Sequence, residues 1–518
     1  VQAWFRSIDA GTAFDFPAVF AELQKTFDRT LYGGPTLYSL VEAGLKRGIP
    51  VQYLFEENEF QWGYGRKQIR GRSTTFHVDG IKDTEFTMFK DMVGDFLEMC
   101  GLPTPMGRNC YDEDEIVEEA VKIGYPVVVK PVAGHKGQGV VTGITDEAGV
   151  RKAYQNIIKM AAEAGTNFDG ALVQRMIYGT DHRLLSVGGK FTAALQRVPA
   201  YVDGNGKDTI KDLIAIENDT IVRLDNARSP LCKIKIDDDL QDYLGLQKLT
   251  LTDVPADGER IYLRRVANIS AGGVSINVTD NIHPLNIKLV EDIAKFFTVT
   301  CLGIDILTED ISKPWTEGNF GIIEINAGPG VFMHLAPALG GSVDVPGAIM
   351  KHHFPRPEYS RIPIIAGNKL SLNFANLLYA KLLEIDEDIE FGSLTEEGIY
   401  FNGAYFYKNP DHDQNVKIML RNPKLDFAVF NHSKDDIFDF GTRHCGADIV
   451  ILEDAHYAED ILKRDILPDG YYFEVLTDEV ILYHNAEITN YPITEESDRD
   501  AVLIAAITPL LADLYVKY

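Results

Sequence analysis

Two short segments, nearly two hundred residues apart, constrain this chain more than any other feature. The first is Tyr125-Pro-Val-Val-Val-Lys130-Pro, followed by Gly134-His-Lys136-Gly137-Gln-Gly139-Val140. The second is Gly303-Ile-Asp305-Ile, followed further on by Ile322-Ile-Glu324-Ile-Asn326-Ala-Gly-Pro-Gly330. The β-branched run Val127 to Val129 predicts a buried strand that delivers the point charge of Lys130 to a phosphate. The glycines at 134, 137 and 139 let the backbone take positive φ, so its N–H groups can face phosphate oxygens. No Gly-Lys-Ser/Thr follows, so this is not a Walker A loop. In a strand, residues two apart share a face. Glu324 and Asn326 can therefore grip one metal together, and Asp305 on a second apolar stretch completes a set of hard oxygen donors suited to Mg²⁺. A phosphate cradle with a magnesium cluster is the equipment for using ATP.

These residues resemble the ATP-grasp superfamily of carboxylate–amine ligases, and more closely the cyanophycin synthetases. Further stretches carry the same resemblance: Gly33-Gly-Pro-Thr-Leu, Gly63-Tyr-Gly-Arg-Lys-Gln, Arg183-Leu-Leu-Ser-Val-Gly-Gly-Lys190, Arg197-Val-Pro-Ala200, Ala267-Asn-Ile-Ser-Ala-Gly-Gly-Val274 and Met333-His-Leu-Ala-Pro337. It runs from about residue 33 to the C-terminus and is most specific over 85–355. The resemblance implies that Lys90 and Lys130 contact ATP phosphates beneath a mobile loop from Gly134 to Val140. Gln174 stands where the family usually has a glutamate at the adenine edge, and Asp181 matches the ribose-binding carboxylate. Asp305, Glu324 and Asn326 match ligands of two Mg²⁺ ions. Arg264 and Asn268 match catalytic polar groups at the phosphoryl-transfer centre. The substrate would meet Arg183, Ser270, Gly272, Gly273 and His334. Two departures stand out. Gln174 is neutral but can still hydrogen-bond adenine. Phe332 occupies a place where an arginine is expected, which removes a carboxylate fork.

The implied fold class is α/β: an α+β ATP-grasp fold followed by an α/β Mur-ligase-like, P-loop-type domain that has lost its nucleotide loop. The expected divisions are an N-terminal region 1–84, an ATP-grasp domain 85–355 and the degenerate Mur-like domain 356–518. Where the family has a nucleotide loop ending Gly-Lys-Thr, the chain reads Gly367-Asn-Lys-Leu-Ser-Leu-Asn373, and Asn431-His-Ser-Lys-Asp-Asp436 replaces a metal-binding glutamate and a Gly-Gly pair. The chain then stops before a full third domain of that type. Its start, Val1-Gln-Ala-Trp-Phe-Arg, has no initiator Met and no signal-peptide pattern. It reads as a processed or incomplete N-terminus, with the family's recruitment domain largely missing.

A length of 518 residues predicts three to four domains, and 45% hydrophobic residues supply ordinary cores. No apolar run is long enough to span a membrane. The net charge of −27 argues against nucleic acid, whose backbone needs a positive footprint. Cys100, Cys110, Cys232, Cys301 and Cys445 show no C-x-x-C spacing, which fits a reduced, cytoplasmic setting. The adjacent pair His352-His353 reads as surface or core filler, since neighbouring side chains diverge. Apolar stripes predict helices over Met92, Val93, Phe96, Leu97 and Cys100, over Ile116, Val117, Ala120 and Val121, and from Val150 through Ala161, closed by Gly101, Gly124 and Gly165. Gly188-Gly189 predicts a two-residue hairpin.

What the resemblance implies is an ADP-forming, ATP- and Mg²⁺-dependent ligase that makes an amide or peptide bond through an acylphosphate. With the second ATP site lost, it would join preformed β-aspartyl-arginine dipeptides, as the second type of cyanophycin synthetase does, with or without a peptide primer. Two alternatives stay open: a ligase for another short peptide, and a non-catalytic scaffold paralogue. A homo-oligomer, dimer or tetramer, is implied by the family alone.

Overall fold

The valine run that ends at Lys130 is a strand, and Val127 and Val129 are fully buried. A computed structural model describes residues 7, 10–30, 34–54, 57–132, 139–223, 230–494 and 498–518. The chain divides into two units, one of residues 1–40 and 72–352 and one of residues 41–71 and 353–518.

The first unit contains helix α1 (Lys90–Met99) and two main sheets. In one, β1 (Gly107–Cys110), β2 (Val127–Pro131), β3 (Val141–Ile144) and β4 (Ala171–Arg175) run antiparallel in the order β1-β4-β2-β3. Helices α2 (Glu113–Ile123) and α3 (Glu147–Ala164) back it, burying Ile116, Val117, Ala120, Val150, Ala153 and Ile157 in one core with Val127 and Val129. Asp112 caps α2 by accepting from the N–H groups of Asp114 and Glu115, and α3 ends at Gly165 with φ of 65°. The predicted stripe on α2 is one residue too wide: Val121 lies on the solvent side.

The other sheet has β5 (Thr180–Val187), β6 (Lys190–Val198), β7 (Val274–Asn277), β8 (Cys301–Thr308) and β9 (Phe320–Ala327) in the order β7-β6-β5-β8-β9. The predicted hairpin forms, with Gly188 and Gly189 at φ of 55° and 75°. One sheet face carries Leu184, Ala194, Ile304, Ile306, Ile322 and Ile325 onto α4 (Pro284–Ala294) and onto Val93 and Leu97 of α1. The other face is polar and holds the candidate site.

The second unit is built on nine strands: β10 (Ile364–Gly367), β11 (Phe391–Thr395), β12 (Gly398–Phe401), β13 (Ala404–Tyr407), β14 (Phe427–Asn431), β15 (Ala447–Glu453), β16 (Ile466–Val475), β17 (Glu479–His484) and β18 (Glu487–Pro492). Their order is β13-β12-β11-β14-β10-β15-β16-β17-β18, and the middle five are parallel. Taken in chain order, those five lie 2-3-1-4-5. They read as continuous apolar runs because both faces are covered. Phe427 is fully buried in the core that β14 shares with α5 (Leu372–Leu383) and a long helix, Arg499–Lys517. Phe427→Ala is expected to cost about 3–5 kcal/mol in urea unfolding.

The sequence reading assigned residues 41–71 to an N-terminal region, but they belong to this C-terminal unit. The Tyr64 N–H donates to the Ser360 carbonyl at 2.9 Å and that of Arg66 to Leu425 at 3.0 Å. Gly65 is required there: at φ of 55°, a Cβ would stand 2.3 Å from the Leu425 oxygen.

After β10 the chain turns through residues 368–371 into α5. Leu370 N donates to Asn431 Oδ1 at 2.7 Å and Phe374 N to Ser371 Oγ at 2.9 Å. The Lys369 ammonium lies 3.1 Å from Asp454 and 3.6 Å from Glu453, and Arg499 pairs with Glu453 at 2.7 Å. On the other sheet face, three histidines form a chain. His412 Nε2 lies 2.8 Å from His432 Nδ1, and His432 Nε2 lies 3.1 Å from His444 Nε2. Its ends lie 3.6 Å from Asp436 and from Asp465.

Candidate active site

The polar face of the five-stranded sheet brings distant residues together through strand register. Asp305 stands opposite Arg183 on one side and Glu324 on the other, and Gly303 stands opposite Asn326. Arg197 stands opposite Asp181. Cross-strand partners share a face, so Arg197, Asp181, Arg183, Asp305, Glu324 and Asn326 line one surface. A bulge on β9 makes this possible: Glu324 and Ile322 oppose consecutive residues of β8, and Ile323 is the extra residue. The bulge resets the alternation, so Ile322 and Ile325 both reach the core while Glu324 and Asn326 face out.

Two arginines hold Asp305. Arg183 approaches as a fork, Nε to Oδ1 and Nη2 to Oδ2 at 3.0 Å. Arg197 Nη2 reaches Oδ2 at 3.0 Å, and its Nε donates to Asp181 at 2.8 Å. Burial opposes the Asp305 charge, but Arg183 and Arg197 outweigh it and hold the carboxyl below its ordinary range. Burial pushes Asp181 up to about 6, against the pull of Arg197. His334 is fully buried and neither ring nitrogen has a hydrogen-bond partner. Burial, then the two arginine charges, push it down to about 3, so it stays a neutral imidazole.

A cleft beside this face is lined by Lys90 of α1, Gln174 of β4 and Glu324 of β9, with Thr87, Thr104 and Ile323. Lys130 is buried, with its Nζ 3.5 Å from the carbonyl of the bulged Ile323. Burial and the neighbouring Lys90 charge push Lys130 down to about 8, with Glu324 pulling the other way. Gln174 donates its amide N–H to the Pro105 carbonyl at 3.3 Å. Gly139, at φ of 72°, and Val140 follow β2, while Gly134, Lys136 and Gly137 lie outside the described residues.

The second expected group sits in a separate turn. Asn268 accepts from Ser270 N at 3.1 Å and Ser270 Oγ at 2.9 Å, and Gly273 N donates to the Asn268 carbonyl at 3.0 Å. Gly272 has φ of 94°, and a Cβ there would meet Ile234 at 2.7 Å. Among the described residues, Arg264 makes no hydrogen bond to the sheet-face charges. Its guanidinium turns to Asp237 at 2.6 Å and the Lys235 carbonyl at 3.0 Å. Arg197 is the residue that sequence reasoning passed over. Its motif was noted, but the register that sets it against Asp181 and Asp305 was not visible.

Asp305, Glu324 and Asn326 fit Mg²⁺ in donor chemistry. Glu324 and Asn326 carry a carboxylate and an amide oxygen on the same sheet face as Asp305, and among the described residues the Asn326 amide nitrogen has no hydrogen-bond partner to hold that group elsewhere. Among the described residues, no three His, Cys, Asp or Glu side chains converge as a metal cage. Magnesium does not need one, since it takes one or two carboxylates and completes its shell with water and phosphate oxygens. No helix among the described residues is long and apolar enough to cross a membrane.

The antiparallel four-stranded sheet, the five-stranded sheet with its polar face and the cleft that holds Lys90 and Gln174 agree with the class that the family comparison gives. Residues 82–191 match the family model described as the ATP-grasp domain, and this part of the chain is an ATP-grasp domain. Over most of its length the chain is similar to cyanophycin synthetases. It is 33% identical to that of Geminocystis herdmanii over 437 residues, covering 83% of this chain and 48% of the relative. It is 34% identical to that of a Synechocystis strain over 460 residues, covering 85% and 52%. It is also 31% identical over 319 residues to the glutathione biosynthesis bifunctional protein of Mannheimia succiniciproducens, covering 59% and 40%. The chain thus spans about half the length of the cyanophycin synthetases it matches. A crystal structure of a bifunctional glutathione synthetase from Pasteurella multocida is 26% identical, with a TM-score of 0.48, covering 64% of this chain and 45% of that one.

Proposed function

We propose that this chain is an ADP-forming, ATP- and Mg²⁺-dependent carboxylate–amine ligase that works through an acylphosphate on β-aspartyl-arginine units. The observation that carries the reading is the cleft where Lys90 and Gln174 meet Glu324, with the buried Lys130 charge felt by both Lys90 and Glu324, beside the face that also holds Asp305 and Asn326. Lys90 and Lys130 hold phosphate charge, and Gln174 and Asp181 orient base and sugar. Two Mg²⁺ ions, when bound to Asp305, Glu324 and Asn326, supply charge neutralisation at the transferred phosphate. Arg183 holds the substrate carboxylate, with His334 beside it as a neutral hydrogen-bonding group. The Asn268–Gly273 turn, with Arg264, faces the oxygen that gains charge when the amine attacks. Similarity to cyanophycin synthetases supports the substrate class, and the engagement of Lys369 by Asp454 and Glu453 after β10 supports a Mur-like second unit without ATP chemistry. A cytoplasmic homo-oligomer completes the proposal.

A second reading rests on Phe332. A phenyl ring there cannot fork a carboxylate, which favours a ligase for a different short peptide. Phosphate release from Mg-ATP tests both readings, against β-aspartyl-arginine, aspartate, arginine and other amino acids, each with and without a cyanophycin primer. Turnover with the dipeptide is expected. Turnover only with other amino acids selects the second reading, and silence throughout removes both in favour of a scaffold.

A further inference from the structure

Asp305 is the proposed magnesium ligand with the least freedom. Three guanidinium N–H groups meet its two oxygens, two from Arg183 and one from Arg197. With Asp181 on the far side of Arg197, the cluster holds two anions and two cations and is electrically balanced. Glu324 stands opposite Asp305 in the sheet and feels the buried Lys130 charge rather than the two arginines. A divalent cation entering here meets a carboxylate already matched by two positive charges.

We propose that Arg183 and Arg197 form a latch that competes with the metal for Asp305, and that metal loading hands the Arg183 fork from Asp305 to the substrate carboxylate. The idea rests on the magnesium reading above and extends it to an order of assembly. The carboxylate site does not open until nucleotide and metal have drawn Asp305 away. His334, buried with both ring nitrogens unpartnered, lies within the field of both arginines and is placed to meet what replaces Asp305.

The alternative geometry makes the opposite prediction. If the arginines orient a metal-bound Asp305, removing one weakens metal binding, typically by about 10–100-fold for such outer partners. If they compete, removal tightens it. The experiment measures the half-saturating Mn²⁺ concentration for binding of a fluorescent, non-hydrolysable ATP analogue to the full chain. In Arg183→Met it is expected to fall by about tenfold, on the same scale of outer-partner effects. In Arg183→Lys, which keeps a charge but cannot form the fork, the fall is smaller. The lysine variant also carries the test if the methionine variant does not fold, as judged by circular dichroism. A rise, or no change, in the arginine variants overturns the latch. Asp305→Asn separates the two ideas: if it binds Mn²⁺ as the wild type does, the magnesium reading itself fails, whatever the arginine variants show.

Discussion

Lys130→Met should lower the proposed ATP turnover by about 10²–10³, the usual loss for one preorganised charge-stabilising group, and at the same time raise the stability of the unliganded protein. Both effects come from the burial of Lys130. Among the described residues the ammonium has left water with the Ile323 carbonyl at 3.5 Å and the Glu324 charge in its favour, and burial and the Lys90 charge outweigh them. Without a phosphate, that charge is a cost. An unbranched apolar side chain of similar length removes the cost, for a gain of about 1–3 kcal/mol. With a triphosphate present the balance reverses, because a desolvated point charge beside phosphate oxygens interacts strongly. Phosphate release and thermal unfolding without nucleotide check the two halves separately. Turnover within about threefold of wild type, against the loss expected for such a group, removes Lys130 from the site. A lowered melting temperature removes the argument about its burial.

The second large effect concerns acid. Burial holds His432 well below its ordinary pKa and pushes His444 down to about 4, and His412 is lowered as well. All three are therefore neutral in the folded unit at pH 7, whereas the unfolded chain takes up protons near pH 6.5. Folding is thus unaffected by these groups above pH 6.5 and loses stability as pH falls from there toward 4. At pH 5, His444 alone accounts for about 2 kcal/mol of loss. Other groups face the chain from each element around it. Asp413 and Asp436 raise His412, and Arg361 lowers His444. Asp465, whose carboxyl burial pushes up, acts in the opposite direction, but in a window nearer the carboxylate range. The check is the urea midpoint of the C-terminal unit between pH 8 and pH 5, compared with His444→Gln, whose amide hydrogen-bonds without titrating. Equal pH slopes in the two proteins would sink the assignment.

How much of this was legible follows from which interactions are local. The Val127 to Lys130 strand, the Glu324/Asn326 pair and the Gly188-Gly189 hairpin could be read because a period of two and a turn type are local properties. The bulge at Ile323 could not, because an extra residue shows only against a partner strand. Arg197 was missed for the same reason: its meaning lies in standing opposite Asp181. Arg264 could be picked out by its place in a motif, but that place does not say which carboxylate its guanidinium meets in the unliganded fold, and here it is Asp237. His412 opens a helix, His432 follows β14 and His444 precedes β15, so only the packing of these elements brings their rings into a row. The loop over the phosphates from Gly134 to Gly137 remains a reading from sequence, outside the described residues.

The place of residues 41–71 in the C-terminal unit has a consequence for the ribosome. Tyr64 docks on Ser360, and Arg66 on Leu425, through backbone hydrogen bonds. Chains are made at about 5–20 residues per second, so at those rates Tyr64 emerges roughly 15–60 seconds before Ser360 exists to receive it. In that interval Tyr64, fully buried at the end in a core with Ile362, Ile364 and Leu425, has no native cover. Nearly the whole ATP-grasp domain is synthesised during the wait. A nascent chain that hides this apolar segment in a temporary partner, or folds the domain between fast enough to keep it from wrong ones, solves a timing problem that the finished molecule no longer displays.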